Sequence, residues 1–587
     1  MDNSPCCRSL RLILVSAFVL ISILLGACQL SATSTPSLQP SATPLPATPI
    51  PPTATATMAP SPTPTPMPLI LWLDPILPAD FLKKVNIPEG ILTTRTKSEA
   101  NLFLTAGDPP SNSALIGETW QSYALVAPFF TVQDDVSMAA LRSLASGYQP
   151  EDLPLPIDTL LVRDQDNALV AHLLKVSAST KPQKSKIDNV IDEFFRPEVE
   201  TQAGAWAILP FELLAPQWKV ISIDGKSPLD DDFSPETTPL TQRLSLSSTH
   251  SNPVLTDNQL TGLLPRSNRD RTQLTSLIMT GVTAMARDTA YVMSNEGVLF
   301  PGTEIHKFMQ AADLTHISNE VSFYEDCRFP DPDYKGYLFC SDPSYIRLLA
   351  YLGADIIELT GNHNNDVLAL YKEDSVPFTL DLYRQYDMQW YAGGVNLADA
   401  KAPLLIENNG NKLAFIGCNS YGPEMAWAKE DSSGAAPCED FVWISDEVTR
   451  LRSQGYLPIV TFQYQEDYVV TAQSAAIRDF RKVADSGAVI VNGSQSHVSK
   501  AMEFWNHTFI HYGLGNLFFD QPEVYITHDG IIQKHFFYQG RHISTQLLTI
   551  TLEETAKPRL MISEERQKFL DDLFEASRLL KERSEEH

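Results

Sequence analysis

The chain has 587 residues, with 44 Lys and Arg against 71 Asp and Glu, a formal net charge of −27. That balance argues against a nucleic-acid partner and against a basic patch for an anionic membrane, since both need Lys and Arg facing phosphates. Roughly 520 residues of ordinary globular composition are too many for one hydrophobic core, so two or three domains are expected.

Taken in chain order, residues 1–28 read as a lipoprotein signal peptide. Arg8 and Arg11 make a positive start, and Leu12 to Leu25 is an apolar stretch short for a membrane-spanning helix. It closes in Leu25-Gly26-Ala27-Cys28, which resembles a bacterial lipobox and implies a lipid on Cys28 that holds the protein to the membrane. The competing reading is an uncleaved anchor ending in a cysteine by chance. Either one puts the body of the protein outside the cytoplasm. Residues 29–68 carry no charge and are almost wholly Ser, Thr, Pro and Ala. Such a stretch buries too little apolar surface to offset its chain entropy, so it is expected to be a disordered, extended spacer.

Residues 69–240 are expected to form a first α/β domain. Apolar runs at Leu69–Leu73, Ala124–Val132, Leu160–Val162, Ala205–Leu209 and Trp218–Ile223 alternate with helical patterns. The last two runs vaguely resemble a lobe of a solute-binding protein. No catalytic cluster stands out, and a structural or docking role is an equal reading. Residues 241–272 continue a stretch rich in Ser, Thr, Pro and Asp and are expected to link two domains.

A second α/β domain is expected over 273–562. Here polar loops follow apolar strands repeatedly: Ser318-Asn319-Glu320 after Leu314–Ile317, Gly361-Asn362-His363 with Asp366 after Ile356–Leu359, and Gly493-Ser494-Gln495-Ser496-His497 after Val489–Val491. Sites in open α/β sheets form at the carboxyl ends of strands. His316 and His511 lie inside apolar runs and read as core residues. Once the first three cysteines are set aside, Cys327, Cys340, Cys418 and Cys438 remain. An even number in an oxidising compartment suggests disulfides, and the local pairs Cys327 with Cys340 and Cys418 with Cys438 are favoured because each brackets a loop-like stretch. Zinc is the rival, without C-x-x-C spacing to support it. Residues 563–587 read as an amphipathic helix, with Phe569, Leu570, Leu573, Phe574 and Leu580 at helical spacing.

The Gly361-Asn362-His363 loop with Asp366, the Tyr391-Ala392-Gly393-Gly394-Val395-Asn396 turn and the Tyr512-Gly513-Leu514-Gly515-Asn516 segment together resemble the CapA family of poly-γ-glutamate capsule synthesis proteins, in the metallophosphoesterase-like superfamily. The resemblance covers about Leu274 to Asp520. It implies a four-layer α/β/β/α sandwich that holds one or two divalent ions, Mn, Fe or Zn, between strand-end loops. By position it implies Glu320, Asn362 and His497 as metal ligands, with His363 and Asp366 as catalytic residues. Gln463 and Gln495 stand where the family has histidines, and Val282 stands where it has an aspartate, so one ion, or none, is also an expectation. The function implied is synthesis, export or anchoring of poly-γ-glutamate or another anionic envelope polymer, as a metal-dependent hydrolase. The alternatives are a surface binding module that has lost turnover, and a solute-binding or sensing lipoprotein.

Overall fold

The computed structural model describes residues 68–148, 159–176, 205–250 and 255–585, apart from 329, 332 and 335. Residues 1–67, on which the expected signal peptide, Cys28 and nearly all of the expected spacer fall, lie outside the described residues. Among the described residues no helix is long and apolar enough to cross a membrane.

The first nine strands are β1 (Leu69–Leu73), β2 (Ile91–Thr94), β3 (Leu102–Ala106), β4 (Ala114–Pro128), β5 (Asp135–Val136), β6 (Thr159–Val162), β7 (Ala205–Pro210), β8 (Trp218–Ile223) and β9 (Thr241–Ser248). They make one mixed sheet in the order β2-β1-β3-β9-β4-β7-β6, with β8 on β4 and β5 on β8. The segment expected to link the domains is therefore corrected. Residues 241–248 are an inner strand of this sheet, and Asp257–Leu263 is a helix closed at its start by a Thr256–Gln259 capping box.

The second half has two more sheets. The first contains β10 (Leu274–Thr283), β11 (Leu314–Asn319), β12 (Ile356–Glu358) and β13 (Gln389–Tyr391), parallel to one another. It continues from β10 through three antiparallel strands, 529–538, 541–553 and 557–560, with 516–518 laid parallel on the end of β10. In the second sheet, 411–419, 457–463, 490–492 and 508–511 run parallel, with antiparallel strands at 404–408 and 502–505 on the edges. Every residue of β10 and of 457–463 is buried, as expected of strands covered on both faces.

Three apolar cores define the layering. Leu277, Met279, Ile356, Phe415, Ile459 and Phe509 meet between the two sheets. Helix residues Met293, Met309, Leu349 and Leu380 cover the outer face of the first sheet. Val448, Phe480, Val483 and Leu580 cover the outer face of the second. The order is helix, sheet, sheet, helix. The C-terminal helix (Ser563–Glu585) buries Leu570, Leu573 and Leu580, with Phe569 and Phe574 packed against the intersheet core. Both halves belong to one compact unit, Met67–His587. They share a core in which Ala124, Val126, Ala207 and Val220 pack with Leu274, Phe536 and Ile543.

Two disulfides, Cys327–Cys340 and Cys418–Cys438, tie loops in the second half. His316 and His511 are indeed core residues, and they have company. His511 Nε2 donates to the Lys500 carbonyl at 3.0 Å, and its Nδ1 accepts from Gln533 Nε2 at 2.7 Å. Gln533 Oε1 in turn accepts from Asn492 and from His535 Nε2, and His535 Nδ1 takes the Thr545 hydroxyl at 2.9 Å. His542 Nε2 lies 3.0 Å from the same hydroxyl oxygen. These imidazoles are buried, and burial holds His316, His511 and His542 down at about 3 and His535 well below its ordinary value.

Candidate functional site

Parallel strands of both sheets end at one rim, and close backbone packing there sets the geometry. A Cβ on Gly281, near the end of β10, would lie 1.9 Å from the Gly515 carbonyl oxygen. Val282 N–H bonds that carbonyl at 3.0 Å, and Glu320 N–H bonds Thr283 O at 2.8 Å. A Cβ on Gly361 would lie 2.6 Å from the Glu320 Cα, so the loop after β12 lies directly on the loop after β11. Within it, Asn364 Nδ2 donates to Leu359 O and Gly361 O, and Asn365 Nδ2 to Met425 O and Ser433 O. The helix Asp366–Tyr371 that follows has no side-chain cap, so these asparagines shape the loop instead.

The strand-end side chains gather. Glu320, Glu466 and His497 each offer a ligand atom, all within 4.8 Å of one another. Asn362 Nδ2 and Gln463 Nε2 both donate to Glu466 Oε1 at 3.3 Å, one from each sheet. Gln495 Nε2 donates to Ser318 Oγ at 2.6 Å, again across the sheets. What remains is a set of buried oxygens without a hydrogen-bond partner: both of Glu320, Asn362 Oδ1, Gln463 Oε1 and Gln495 Oε1. Buried oxygens are normally satisfied, because leaving one bare costs about 1–3 kcal/mol and more for a charge. Two carboxylates, an imidazole and amide oxygens are hard-to-borderline donors that suit Mn, Fe or Zn, and two carboxylates balance one divalent ion. The residues present therefore fit a single cation held by Glu320, Glu466 and His497, with Asn362, Gln463 and Gln495 to complete it.

Charge and tautomer agree with that use. Burial raises the Glu320 carboxyl above its usual range, against the pull of His363 and His497, while Glu466 and Asp366 raise it further. Asn516 Oδ1 lies 2.9 Å from His497 Nδ1, and the Asn516 amide is itself fixed by Thr527 O at 3.1 Å. Nδ1 is thereby the donor, and Nε2 faces Glu466 Oε2, 3.7 Å away. His363 Nδ1 is held by Asp366 Oδ2 at 2.6 Å, and the same oxygen accepts Phe339 N–H at 2.8 Å. Burial works to lower His363, but the Asp366 bond and the charges of Glu320, Asp366 and Glu466 prevail and raise it.

Glu466 stands in the sequence as a carboxylate three residues beyond a strand end, beside Asp467, and spacing alone does not say which of the two reaches the site. Asn516 reads as a turn residue, yet it orients His497. Glu358 was not anticipated. It is fully buried at the end of β12, takes hydroxyl bonds from Thr360 at 2.5 Å and from Ser494, and burial pushes its carboxyl up. It fastens the loop after strand 490–492 beneath the cluster. Asp467 lies apart, paired with Lys500. Val282 packs with Ala284, Val321, Phe339 and Phe519 in an apolar patch.

Similarity to known proteins falls on this same region. The family described as bacterial capsule synthesis protein PGA_cap matches residues 276–521. The PGA biosynthesis protein CapA of Bacillus subtilis (strain 168) is 23% identical over 196 residues, 33% of this chain and 50% of that protein. The capsule biosynthesis protein CapA of Bacillus anthracis is 21% identical over 299 residues, 50% of this chain and 71% of that one. The chain thus spans about half the length of the first relative. Among solved structures, a 5'-nucleotidase precursor from Thermus thermophilus aligns with a TM-score of 0.30 at 12% identity, over 52% of this chain and 59% of its own, too slight a likeness to bear on the argument. Over residues 276–521 the chain is thus similar to the bacterial capsule synthesis protein family PGA_cap and to the two CapA proteins.

Proposed function

We propose that this chain is an extracytoplasmic, lipid-anchored capsule protein that hydrolyses an anionic envelope polymer of the poly-γ-glutamate type with the help of one divalent cation. The observation that carries the reading is the Glu320–Glu466–His497 group with its unpartnered amide oxygens, set beside the His363–Asp366 pair. A bound cation would supply Lewis acidity to a carbonyl oxygen and to water. His363, raised and held by Asp366, keeps its Nε2 proton for the leaving nitrogen as the C–N bond breaks and water's hydroxyl joins the carbonyl carbon, and water's other proton returns to His363. Asp366 positions His363. Glu320 and Glu466 supply the negative charge, and His497, fixed by Asn516, an imidazole nitrogen.

After metal-replete expression the protein is expected to carry close to one Mn, Fe or Zn per chain. Asn362→Ala and His497→Ala are each expected to lower metal-dependent cleavage of a γ-glutamyl oligomer by about a hundredfold, within the range for a lost metal-site or transition-state contact. No bound metal and no cleavage of polyglutamate or of phosphodiesters would sink the hydrolase reading. A second reading, a binding module without turnover, is favoured by Val282, whose apolar patch stands where the family has a carboxylate. Metal-dependent binding without cleavage would establish it.

Two disulfides support a place outside the cytoplasm, where such bonds persist. Lipid attachment is expected at Cys28. Mass spectrometry of the mature N-terminus should find a diacylated Cys28, and an unmodified, uncleaved N-terminus would overturn the anchor.

A further inference from the structure

Beside the cation cluster lies a cation of the protein's own. The Arg287 guanidinium sits between two aromatic rings, its Cζ 5.1 Å from the centroid of Phe339 and 5.3 Å from that of Phe519. Those same rings pack on the two site imidazoles, Phe339 on His363 at 4.7 Å and Phe519 on His497 at 4.4 Å. Arg287 is thus one ring away from each. Asp520 holds a single edge of the guanidinium. Its Oδ2 accepts from Nε at 3.2 Å, and its backbone carbonyl accepts from Nη2. Nη1 makes no hydrogen bond among the described residues, and the side chain is 21% exposed. Asp520 therefore orients the fork and leaves its outer end open. The backbone at Arg287 has φ +44°, a conformation that side-chain-bearing residues rarely adopt.

The surroundings say what that open edge is for. Glu320, Glu466 and Asp366 crowd the site with negative charge. The nearby Lys500 is occupied by Asp467 and by the Val469 carbonyl. Tyr468, two residues beyond Glu466, has its hydroxyl bound by Gln521 at 3.0 Å. An anionic chain reaching this rim meets the carboxylates of the cluster and, one ring away from its two imidazoles, a half-free guanidinium. A planar guanidinium flanked by rings presents two parallel N–H donors with matched spacing to a carboxylate.

We propose that Arg287 is an oxyanion seat that receives a side-chain carboxylate of the polymer and so sets its register over the cation cluster. The choice of a carboxylate rests on the function proposed above; the seat itself does not.

The test is calorimetric binding to the full chain in Mn2+, using a γ-glutamyl oligomer, its neutral methyl ester and a glycerol-phosphate oligomer. Arg287→Ala is expected to weaken the γ-glutamyl oligomer by about tenfold to a hundredfold, the value of a hydrogen bond to a charged group. It should leave the methyl ester and Mn2+ binding unchanged, and Arg287→Lys should fall between. Because Arg287→Ala strands a buried Asp520, the pair Arg287→Ala with Asp520→Asn is measured alongside and should show the same loss. Unchanged oligomer affinity in both variants overturns the seat, as does equal weakening of the methyl ester, or loss of Mn2+ binding together with the oligomer in the double variant. A wild-type protein that binds neither anion also overturns it. If only the phosphate oligomer binds, in an Arg287-dependent way, the seat stands and the polyglutamate assignment falls.

Discussion

Lowering the pH from 7 to 5 is expected to strip several kcal/mol from the folded state, through four histidines far from solvent. His316, His511 and His542 are held at about 3 and His535 well below its ordinary value, each chiefly by burial, whereas an unfolded chain protonates them near 6.5. A depressed folded value means the stability is complete above 6.5 and drains as pH falls from 6.5 toward 3. Each histidine costs about 1.4 kcal/mol per pH unit in that window, or about 2 kcal/mol by pH 5. Four of them rival the whole stability of an ordinary domain, about 5–15 kcal/mol. Carboxyls raised by burial work the other way. Asp520 is pushed up to about 6, and Glu320 and Glu358 are raised, so each takes up a proton in the folded state first and returns part of the loss. The net expectation is a urea midpoint that falls steeply below pH 6. His542→Asn should flatten the slope by about one proton. Imidazole resonances that titrate near 6.5 in the folded protein would refute this account, since the hydrogen bonds around Gln533 are built for neutral rings.

Glu320→Gln is expected to move stability in opposite directions depending on the cation. In chelator-treated protein the substitution removes a buried charge that has no hydrogen-bond partner on either oxygen, and stability should rise by about 1–3 kcal/mol. With Mn2+ added, the wild-type protein should gain about 2.7 kcal/mol at a hundredfold excess over its dissociation constant, and the variant should gain almost nothing. Thermal unfolding with and without Mn2+ reads both arms. A variant that is destabilised in chelator, or that responds to Mn2+ as the wild type does, would show that Glu320 serves packing and not the cation.

Much of the second half was legible because its strands are continuous apolar runs that stop abruptly at polar loops. The loops that bear Glu320, Asn362 and Gln495 sit where strand-end chemistry places them. The segment 241–248 was not legible, and the reason is instructive. Its sequence, Thr-Gln-Arg-Leu-Ser-Leu-Ser-Ser, has the composition of a loop, yet Ser245 and Ser248 bury their hydroxyls against the Gly107 and Asn101 carbonyls. Serine reads as surface unless the acceptor that awaits it is known, and that acceptor lies more than a hundred residues away. Glu466, next to Asp467, and Asn516, at the end of a turn-like segment, are visible in the sequence, but their roles are not, for a similar reason. Their roles depend on what faces them across two sheets. Arg287 gave no signal at all, since its meaning comes from two phenylalanines distant in sequence.

Val282 has a bearing on how this site could be rebuilt. Its neighbours Val321, Phe339 and Phe519 have closed into a dry patch, and two of them also carry the imidazoles and Arg287. An aspartate at this one position would set a bare charge against those rings and upset the stacking on both histidines. A further carboxylate at this rim would therefore need the phenylalanines replaced before the valine.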